Sequence, residues 1–299
     1  MKTIDPKQLN ASAFYQLMVE AVVPRPIAFV STVDRDGRVN LSPYSFFNVV
    51  SAHPPVLVFS PVNRTRDNTR KDTLDNVQEH GEVVVNIVNY AVAEQMSLAS
   101  TEYDRGVNEF AKAGLTEVPS VRVRPPRVAE CPIAFECQVQ QVVPLGNEGG
   151  AGHLVICEIL LAHVDEVVLD AEQRIDPHRL DAVGRMGGSW YCRASGEALF
   201  KMARPGREKG VGVDGLPRTV RESTVLTGSD LARLASVPRI PDPATWQVHA
   251  GDPLIVTARN AAPSSAAPVL QRLHEIAQDY LRRGDINRAW AALMTGENL

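Results

Sequence analysis

Residues 64–73 read RTRDNTRKDT and place four cationic side chains and three threonines within ten positions. Arginine and lysine donate charge-assisted hydrogen bonds to phosphate oxygens. Asp72 is interpreted as the N-cap of a helix that runs to His80 before Gly81, and the first N–H groups of a helix favour an anion. The segment suggests a cradle for an anion, although taken alone it fits a solvated basic loop better.

A second segment offers a place for a flat ligand. Residues 42–51 read SPYSFFNVVS and combine aromatic, hydroxyl and amide side chains on one predicted extended stretch. Because side chains alternate between the two faces of a strand, half of them could line an aromatic ligand while the others enter the core. The alternative is an ordinary barrel strand with aromatic core residues.

The elements that must position these segments are mostly strands. Apolar or alternating patterns predict strands over 27–33, 56–60, 83–88, 135–140 and 153–169, one extended segment over 38–50, and short helices over 90–100 and 107–113. Antiparallel strands joined by hairpins, without regular βαβ alternation, indicate a barrel or a sandwich.

The chain changes character near residue 205, where a stretch rich in glycine and proline follows. Further on, apolar residues over 270–281 recur at i, i+3 and i+4, which predicts an amphipathic helix, and a second helix is expected around Trp290. We expect residues 206–299 to form an extension that packs on the barrel or on a partner subunit.

Composition excludes several classes of protein. The chain has 299 residues, a formal net charge of -4 and 44% hydrophobic residues, as expected of a soluble globular protein. This weak acidity argues against nucleic-acid binding, which needs a broad basic face. No apolar run reaches the ~18 residues of a membrane span, and the N-terminus lacks a signal-peptide core, so a cytoplasmic protein that is not bound to a membrane is expected.

The common catalytic motifs are absent from the sequence. The glycine run GNEGGAG at 146–152 lacks the spacing of a dinucleotide-binding fingerprint, and neither a phosphate-binding P-loop nor a Gly-x-Ser-x-Gly elbow occurs. The four cysteines form no Cys-x-x-Cys pair, so we expect small core thiols and no metal site. No catalytic side chain can be named, and if the protein is an enzyme, a cofactor carries the chemistry.

Several segments, in order along the chain, carry a resemblance to a known family. They read PRPIAFVSTVD at 24–34, SPYSFFN at 42–48, RKDTLDNV at 70–77, GRMGGSWYCR at 184–193 and SGEALFKMARP at 195–205. In their order, spacing and residue types these segments resemble the flavin reductase-like, FMN-binding split-barrel family, over about residues 10–205.

The resemblance implies a mainly β fold. Residues 1–205 would form a six-stranded antiparallel Greek-key split β-barrel with short inserted helices, and residues 206–299 a partly helical C-terminal extension. Such proteins are usually homodimers with FMN near the subunit interface. Family members typically transfer hydride from NADH or NADPH to flavin, and some supply reduced flavin to a separate monooxygenase component.

The resemblance also implies a set of cofactor-binding residues. These are Val30, Ser31 and Thr32 at the flavin ring or ribityl chain, Ser45, Phe46, Phe47 and Asn48 beside the isoalloxazine, Ser60, Arg66, Lys71, Asp72 and Thr73 around the phosphate, and Gly187, Gly188 and Tyr191 closing the site. Because several arginines crowd the loop before Lys71, the one that contacts the phosphate stays open.

The sequence therefore predicts an FMN-binding oxidoreductase, specifically an NAD(P)H:flavin reductase. One alternative is a flavin-dependent oxidase or oxygenase that acts on a specific substrate, with the C-terminal extension shaping its pocket. The other is a non-catalytic flavin-binding module whose extension recruits a partner. The sequence does not distinguish NADH from NADPH.

Overall fold

The computed structural model describes residues 1–202, 208–261 and 267–297. The chain divides into two compact units, Met1–Phe200 and Lys201–Leu299. The boundary expected between residues 205 and 206 lies outside the described residues. No helix in the described part of the chain is long and apolar enough to cross a membrane.

The first unit is built mainly from strands. Its strands are β1 (Ala28–Val33), β2 (Val39–Tyr44), β3 (Phe47–Ala52), β4 (Pro55–Phe59), β5 (Glu82–Ile87), β6 (Glu117–Val118), β7 (Arg127–Val128), β8 (Ile133–Pro144), β9 (His153–Val164), β10 (Ala182–Gly187) and β11 (Trp190–Ala194). Its α-helices are α1 (Ala11–Ala21), α2 (Asp72–His80), α3 (Ala93–Leu98), α4 (Glu109–Ala113) and α5 (Pro177–Leu180). Short 3₁₀ turns cover Pro6–Gln8, Tyr90–Val92, Glu166–Val168 and Gly196–Ala198.

Seven strands form one antiparallel sheet in the order β2-β1-β5-β8-β9-β4-β3. The resemblance implied six strands, and the extended segment expected over 38–50 is in fact broken at Ser45 and Phe46 into β2 and β3. The break arises because the two halves have different partners, since β2 pairs with β1 and β3 pairs with β4 at the opposite edge of the sheet.

This connection makes the sheet curl. Only two residues separate β2 from β3, so Tyr44 and Phe47 are three Cα–Cα steps apart and lie within ~11 Å of each other. The two edges of the sheet are therefore brought together at this end. The described strands β2 and β3 share no hydrogen-bonded ladder. The sheet is curled but not closed, and the Greek-key barrel is not confirmed.

Apolar side chains fill the inside of the curled sheet, where Val30, Leu57 and Phe59 are fully buried. On the other face of β1 and β2, α3 and α4 pack through Met96 and Phe110. Three of the four free cysteines are buried, as expected, whereas Cys192 is only partly buried. The core fixes the positions of α2, which follows β4, and of the loop that follows α3.

The helix after the basic segment has the predicted bounds, and Gly81 ends it with a left-handed backbone at φ +66°. Its predicted cap is wrong. Lys71 occupies the N-cap position in extended conformation, without a side-chain capping hydrogen bond, and Asp72 is the first helical residue. An acidic residue in the first turn still stabilises the helix through its dipole.

The second unit is helical in its described part. It contains α6 (Arg218–Arg221), α7 (Gly228–Leu234), α8 (Pro243–Trp246), α9 (Pro253–Asn260), α10 (Ala267–Arg282) and α11 (Ile286–Glu297), with 3₁₀ turns over Val213–Gly215 and Gln247–His249. The two predicted helices are confirmed as α10 and α11. They bury Leu273, Leu281 and Trp290 in a core of their own, separate from those of the sheet.

Candidate functional site

A cleft with two cationic side chains lies beside the start of α2. We call it the cationic cleft, and it is lined by Asn40, Ser42, Arg64, Lys71, Asp72, Thr73, Ala99, Ser100, Thr101, Glu102, Tyr103 and Glu109. These residues come from β2, the basic loop, the first turn of α2, the loop after α3 and the start of α4. The basic segment of the sequence thus faces a second, hydroxyl-rich segment, residues 99–103.

A second cleft, of about 210 Å³, lies between α1 and the turn that joins β2 to β3. We call it the aromatic cleft, and it is lined by Tyr15, Pro43, Tyr44, Ser45, Phe46, Ser60, Val62 and Lys71. The rings of Tyr15 and Phe46 meet edge to face, with centroids 6.4 Å apart. The cleft therefore offers apolar ring surface with hydroxyl groups beside it.

Lys71 lines both clefts and joins them. Its ammonium nitrogen lies 5.6 Å from the centroid of the Tyr44 ring. Burial lowers the pKa of Lys71, the positive charge of Arg64 lowers it further, and Glu102 opposes both effects. A partly buried ammonium beside a guanidinium is stabilised by an anionic ligand, so this junction suits a phosphate group.

The loop before α2 selects Arg64 rather than Arg66 for the cleft. The Arg64 amide donates to the Thr69 carbonyl and the Asn68 amide to the Arg64 carbonyl, each at 2.9 Å, which closes the loop at its base. Asn68 has a left-handed φ of +57° at the turn. Arg64 is consequently at the base, beside Lys71, whereas Arg66 is at the exposed tip.

The side-chain contacts agree with this placement. Arg64 donates to the Thr69 hydroxyl at 3.1 Å and to the Arg70 carbonyl at 2.8 Å. Arg66 is exposed and pairs with Asp67 at 3.1 Å and with Glu102 at 2.9 Å. Arg64 thus lines the cleft, whereas Arg66, which the sequence-based set included, does not. Sequence reasoning left open which arginine contacts the phosphate, because the loop closure depends on backbone hydrogen bonds.

A buried polar network supports the floor of the cationic cleft. The Thr73 hydroxyl donates to Asn40 Oδ1 at 2.6 Å. Asn40 Nδ2 and the Leu41 amide donate to the two carboxylate oxygens of Glu109, at 3.0 and 2.9 Å. Burial raises the pKa of Glu109, although these donors partly oppose the rise. The Thr73 hydroxyl thus donates its proton to Asn40 and is not free to donate it to a phosphate.

The three β1 residues expected beside the flavin are fully buried. The side chain of Val30 belongs to the core inside the sheet, and the Thr32 hydroxyl accepts from Asn76 Nδ2 at 3.0 Å. Ser31 points to the other face and donates to the Pro126 carbonyl. The structure therefore places their side chains in the packing behind the clefts, not in the cleft linings.

The residues expected from the second segment separate in the same way. Ser45 and Phe46 line the aromatic cleft together with Ser60. Phe47 packs against the core inside the sheet. Asn48 is exposed and accepts a hydrogen bond from the next backbone amide, at 2.8 Å. Of the four residues expected beside the isoalloxazine, only the two in the turn after β2 line the cleft, next to Pro43 and Tyr44 at the end of β2.

Of the two glycines at the turn of the β10–β11 hairpin, Gly187 lies against α1, and neither glycine lines the cationic or the aromatic cleft. Gly187 has φ +100°, and a Cβ placed there would be 2.8 Å from Glu20 Cγ and 3.1 Å from the Val19 carbonyl. Tyr191 stacks on the Arg185 guanidinium, 4.7 Å from the ring centroid. The hairpin thus supports the helix that carries Tyr15.

Sequence reasoning missed several lining residues. Helix α1 was not predicted, although the spacing of Phe14, Leu17 and Met18 is a helical signal. The segment ASTEY at 99–103 overlaps the end of the helix predicted over 90–100, and its residues Ser100 and Thr101 are a weak sequence signal of a polar site. Its position opposite the basic loop depends on tertiary packing, so the sequence alone could not place it.

Comparisons with known proteins support a flavin-related assignment. Residues 20–177 match the flavin reductase like domain. Nitrilotriacetate monooxygenase component B from Bacillus cereus is 31% identical, with a TM-score of 0.63 over 68% of this chain and 98% of that protein. The 2-nitrobenzoate 2-nitroreductase NbaA from Pseudomonas fluorescens is 30% identical, with a TM-score of 0.61 over 71% of this chain and 100% of that one.

A third structure bears on the fold alone. A Shewanella frigidimarina protein with a split barrel domain is 23% identical, with a TM-score of 0.57 over 68% of this chain and 100% of its own. The curled, open antiparallel sheet agrees with that architecture. With the domain match spanning more than half of the sequence and the cleft residues in the same unit, the chain belongs to the flavin reductase-like family.

Proposed function

We propose that the protein is an FMN-binding oxidoreductase that transfers hydride from NADH or NADPH to flavin. The observation that carries the proposal is the position of Lys71, a cation at the junction of an aromatic cleft and a cationic cleft. FMN has the matching parts, since a flat ring system is joined through a ribityl chain to a phosphate. The family membership supports the same cofactor.

The residues present fit this cofactor. Lys71 and Arg64 would hold the phosphate together with the first N–H groups of α2. Ser100 and Thr101 line the same cleft, but the Ser100 hydroxyl already donates to the Ser97 carbonyl at 2.6 Å. Phe46, Ser45 and Tyr15 would border the ring. Among the described residues, the buried Arg64 Nε has an ion-pair contact with Glu102 Oε1 at 3.4 Å but no hydrogen-bond partner, so a ligand phosphate would complete its contacts.

The flavin supplies the redox chemistry when bound, by accepting hydride from the nicotinamide donor. The protein's own residues bind and orient. Burial raises the pKa of Tyr44 to about 12, so its hydroxyl stays protonated at neutral pH. The Glu109 carboxylate accepts from Asn40 and Leu41 on the inner side of the cleft. We therefore assign no side-chain acid or base.

One observation favours a second candidate function. A relative that is 30% identical is a 2-nitrobenzoate 2-nitroreductase. By analogy, the second candidate function is the reduction of a specific organic substrate by this chain with its flavin retained, instead of the reduction of free flavin. The two functions differ in whether flavin leaves the protein after reduction.

We also propose that the protein is a homodimer and that it serves a separate monooxygenase. The large apolar side chains exposed on the first unit include Tyr15 and Met18 on α1, Val49 and Val50 on β3, and Trp190 on β11. Exposed apolar side chains on an edge strand are commonly covered by another chain. The monooxygenase partner rests on the similarity to a monooxygenase component B.

The experiment is steady-state NADH and NADPH oxidation by the purified protein with and without added FMN, together with its absorbance spectrum. A flavin reductase oxidises the nicotinamide faster as free FMN is added. A flavin that stays bound, is reduced, and is reoxidised only by a specific substrate would support the second candidate. A protein whose flavin is never reduced by either nicotinamide would refute both.

A further inference from the structure

The lining of the cationic cleft also includes three carboxylates, those of Asp72, Glu102 and Glu109. Glu102 Oε2 lies 2.9 Å from the Arg66 guanidinium, and Glu102 Oε1 lies 3.4 Å from Arg64 Nε. Glu109, in contrast, accepts from Asn40 and Leu41 on the inner side of the cleft. Among the carboxylates that line the cleft, Glu102 is therefore the one paired with the arginines of the basic loop, while Arg66 also pairs with Asp67 outside the lining.

We propose that Glu102 competes with the phosphate of FMN for the cations of the cleft and so sets how tightly the protein holds its flavin. The inference rests on the proposed function. It adds a residue that determines affinity and the preference for FMN over flavins without a phosphate.

The physical reason is the sign and position of the charges. A phosphate monoester carries about -1.5 to -2 charges at neutral pH. The positive charges of Arg64 and Lys71 can be neutralised either by this phosphate or by Glu102. The two anions repel each other when both are present. The Glu102 side chain is 44% exposed, so it has room to turn toward solvent when phosphate arrives. Breaking its pairs with Arg64 and Arg66 then reduces the net gain from phosphate binding.

This competition has a consequence for the reaction. A protein that supplies reduced flavin to a second enzyme must release it. Glu102 favours this release, because its carboxylate pairs with the arginines again when the phosphate leaves. Riboflavin has no phosphate and does not compete with Glu102. The effect of Glu102 should therefore be confined to phosphate-bearing flavins.

The test uses Glu102→Gln in the full-length protein. FMN and riboflavin are titrated separately into the wild type and the variant, and the quenching of flavin fluorescence gives the dissociation constants. We expect FMN to bind at least about tenfold tighter to the variant, which corresponds to ~1.4 kcal/mol, and riboflavin to change by less than about twofold. The matched control is Glu94→Gln, which removes the same charge from the exposed face of α3, outside the cleft lining.

The outcomes separate this inference from the proposed function. If the wild type binds neither flavin, the proposed function fails and the inference fails with it. If the wild type binds FMN but Glu102→Gln binds it no tighter, the inference alone is overturned. The inference is also overturned if Glu102→Gln raises the affinity for FMN and riboflavin equally, because the effect would then not depend on the phosphate. It is likewise overturned if Glu94→Gln raises the affinity for FMN as much, because the effect would then not depend on the cleft.

Discussion

Lys71 is the residue on which the proposed function depends most, because it belongs to both clefts. Removing one charge-assisted hydrogen bond costs ~1.5–3 kcal/mol, or about tenfold to a hundredfold in affinity. We expect Lys71→Ala to weaken FMN by this factor and riboflavin much less. Fluorescence titration of both flavins measures the difference. Equal losses would show that Lys71 does not hold a phosphate.

The preference for FMN over riboflavin should also depend on pH through Lys71. Burial and then Arg64 lower the pKa of this ammonium, so it loses its proton at a lower pH than an exposed lysine does. Its contribution is present below that pKa and declines as the pH rises through it. Lys71→Arg is the control, because arginine remains charged throughout. If the preference of the wild type for FMN over riboflavin stays constant as the pH is raised into the alkaline range, Lys71 does not have this role.

Thr73 provides a contrasting prediction. Thr73 is buried, and its hydroxyl donates to Asn40 Oδ1 at 2.6 Å. Thr73→Val should therefore leave Asn40 Oδ1 without this hydrogen bond. We expect the free energy of unfolding to fall by ~1–3 kcal/mol, with the FMN preference unchanged. Urea unfolding and the two-flavin titration together test this. A lost FMN preference at unchanged stability would return Thr73 to the phosphate role expected from sequence.

These residues show what sequence could and could not predict about the site. Lys71, Ser45 and Phe46 were expected and do line the clefts, because each lies in a segment whose composition already indicated a ligand. Arg64 was not distinguished from Arg66, since the choice depends on a loop closed by backbone hydrogen bonds. Residue types thus revealed the chemistry, while backbone geometry decided which side chains reach the cleft.

At the scale of elements, the hairpin of β10 and β11 is predicted to hold α1 in place. Gly187→Ala puts a Cβ 2.8 Å from Glu20 Cγ and strains a φ of +100°, whereas at Gly188, with φ +52°, nothing lies within 4 Å of an added Cβ. Both changes should destabilise the fold through backbone strain. Gly187→Ala should cost ~1–3 kcal/mol more, because α1 must also shift.

The readouts are urea unfolding and flavin affinity for the two alanine variants. Because α1 carries Tyr15 at the aromatic cleft, Gly187→Ala should weaken FMN and riboflavin alike, unlike the Lys71 variants. Equal behaviour of the two glycine variants would mean that the hairpin does not position the helix.

Elements were predictable where the pattern was local. The helix after the basic loop has the bounds read from sequence, because a regular apolar spacing and a terminal glycine define it. The break between β2 and β3 was missed, since both halves have extended character and only their different partners separate them. Strand pairing depends on contacts between residues that are far apart in the sequence, so local composition does not indicate it.

For the whole molecule, we predict a dimer whose interface includes β3. Val50 is 58% exposed on this edge strand. A charge buried in an apolar interface is costly, so Val50→Lys should weaken dimerisation by about tenfold or more. Sedimentation velocity over a concentration series measures this, with Val167→Lys, another exposed valine, beyond the end of β9, as control. A wild type that is monomeric at micromolar concentration would contradict the prediction.

The division of the chain into two units leads to the last prediction. Both clefts lie entirely in Met1–Phe200, and the helices after residue 207 have a hydrophobic core of their own. The related solved structures also align over nearly their whole length with only about two thirds of this chain. A protein that ends at Met202 should therefore fold and bind FMN with an affinity within about tenfold of the full-length chain. Circular dichroism establishes folding, and fluorescence titration gives the affinity. A folded fragment with no detectable affinity for FMN would mean that residues beyond 202 complete the site, which would make the extension part of the flavin-binding machinery.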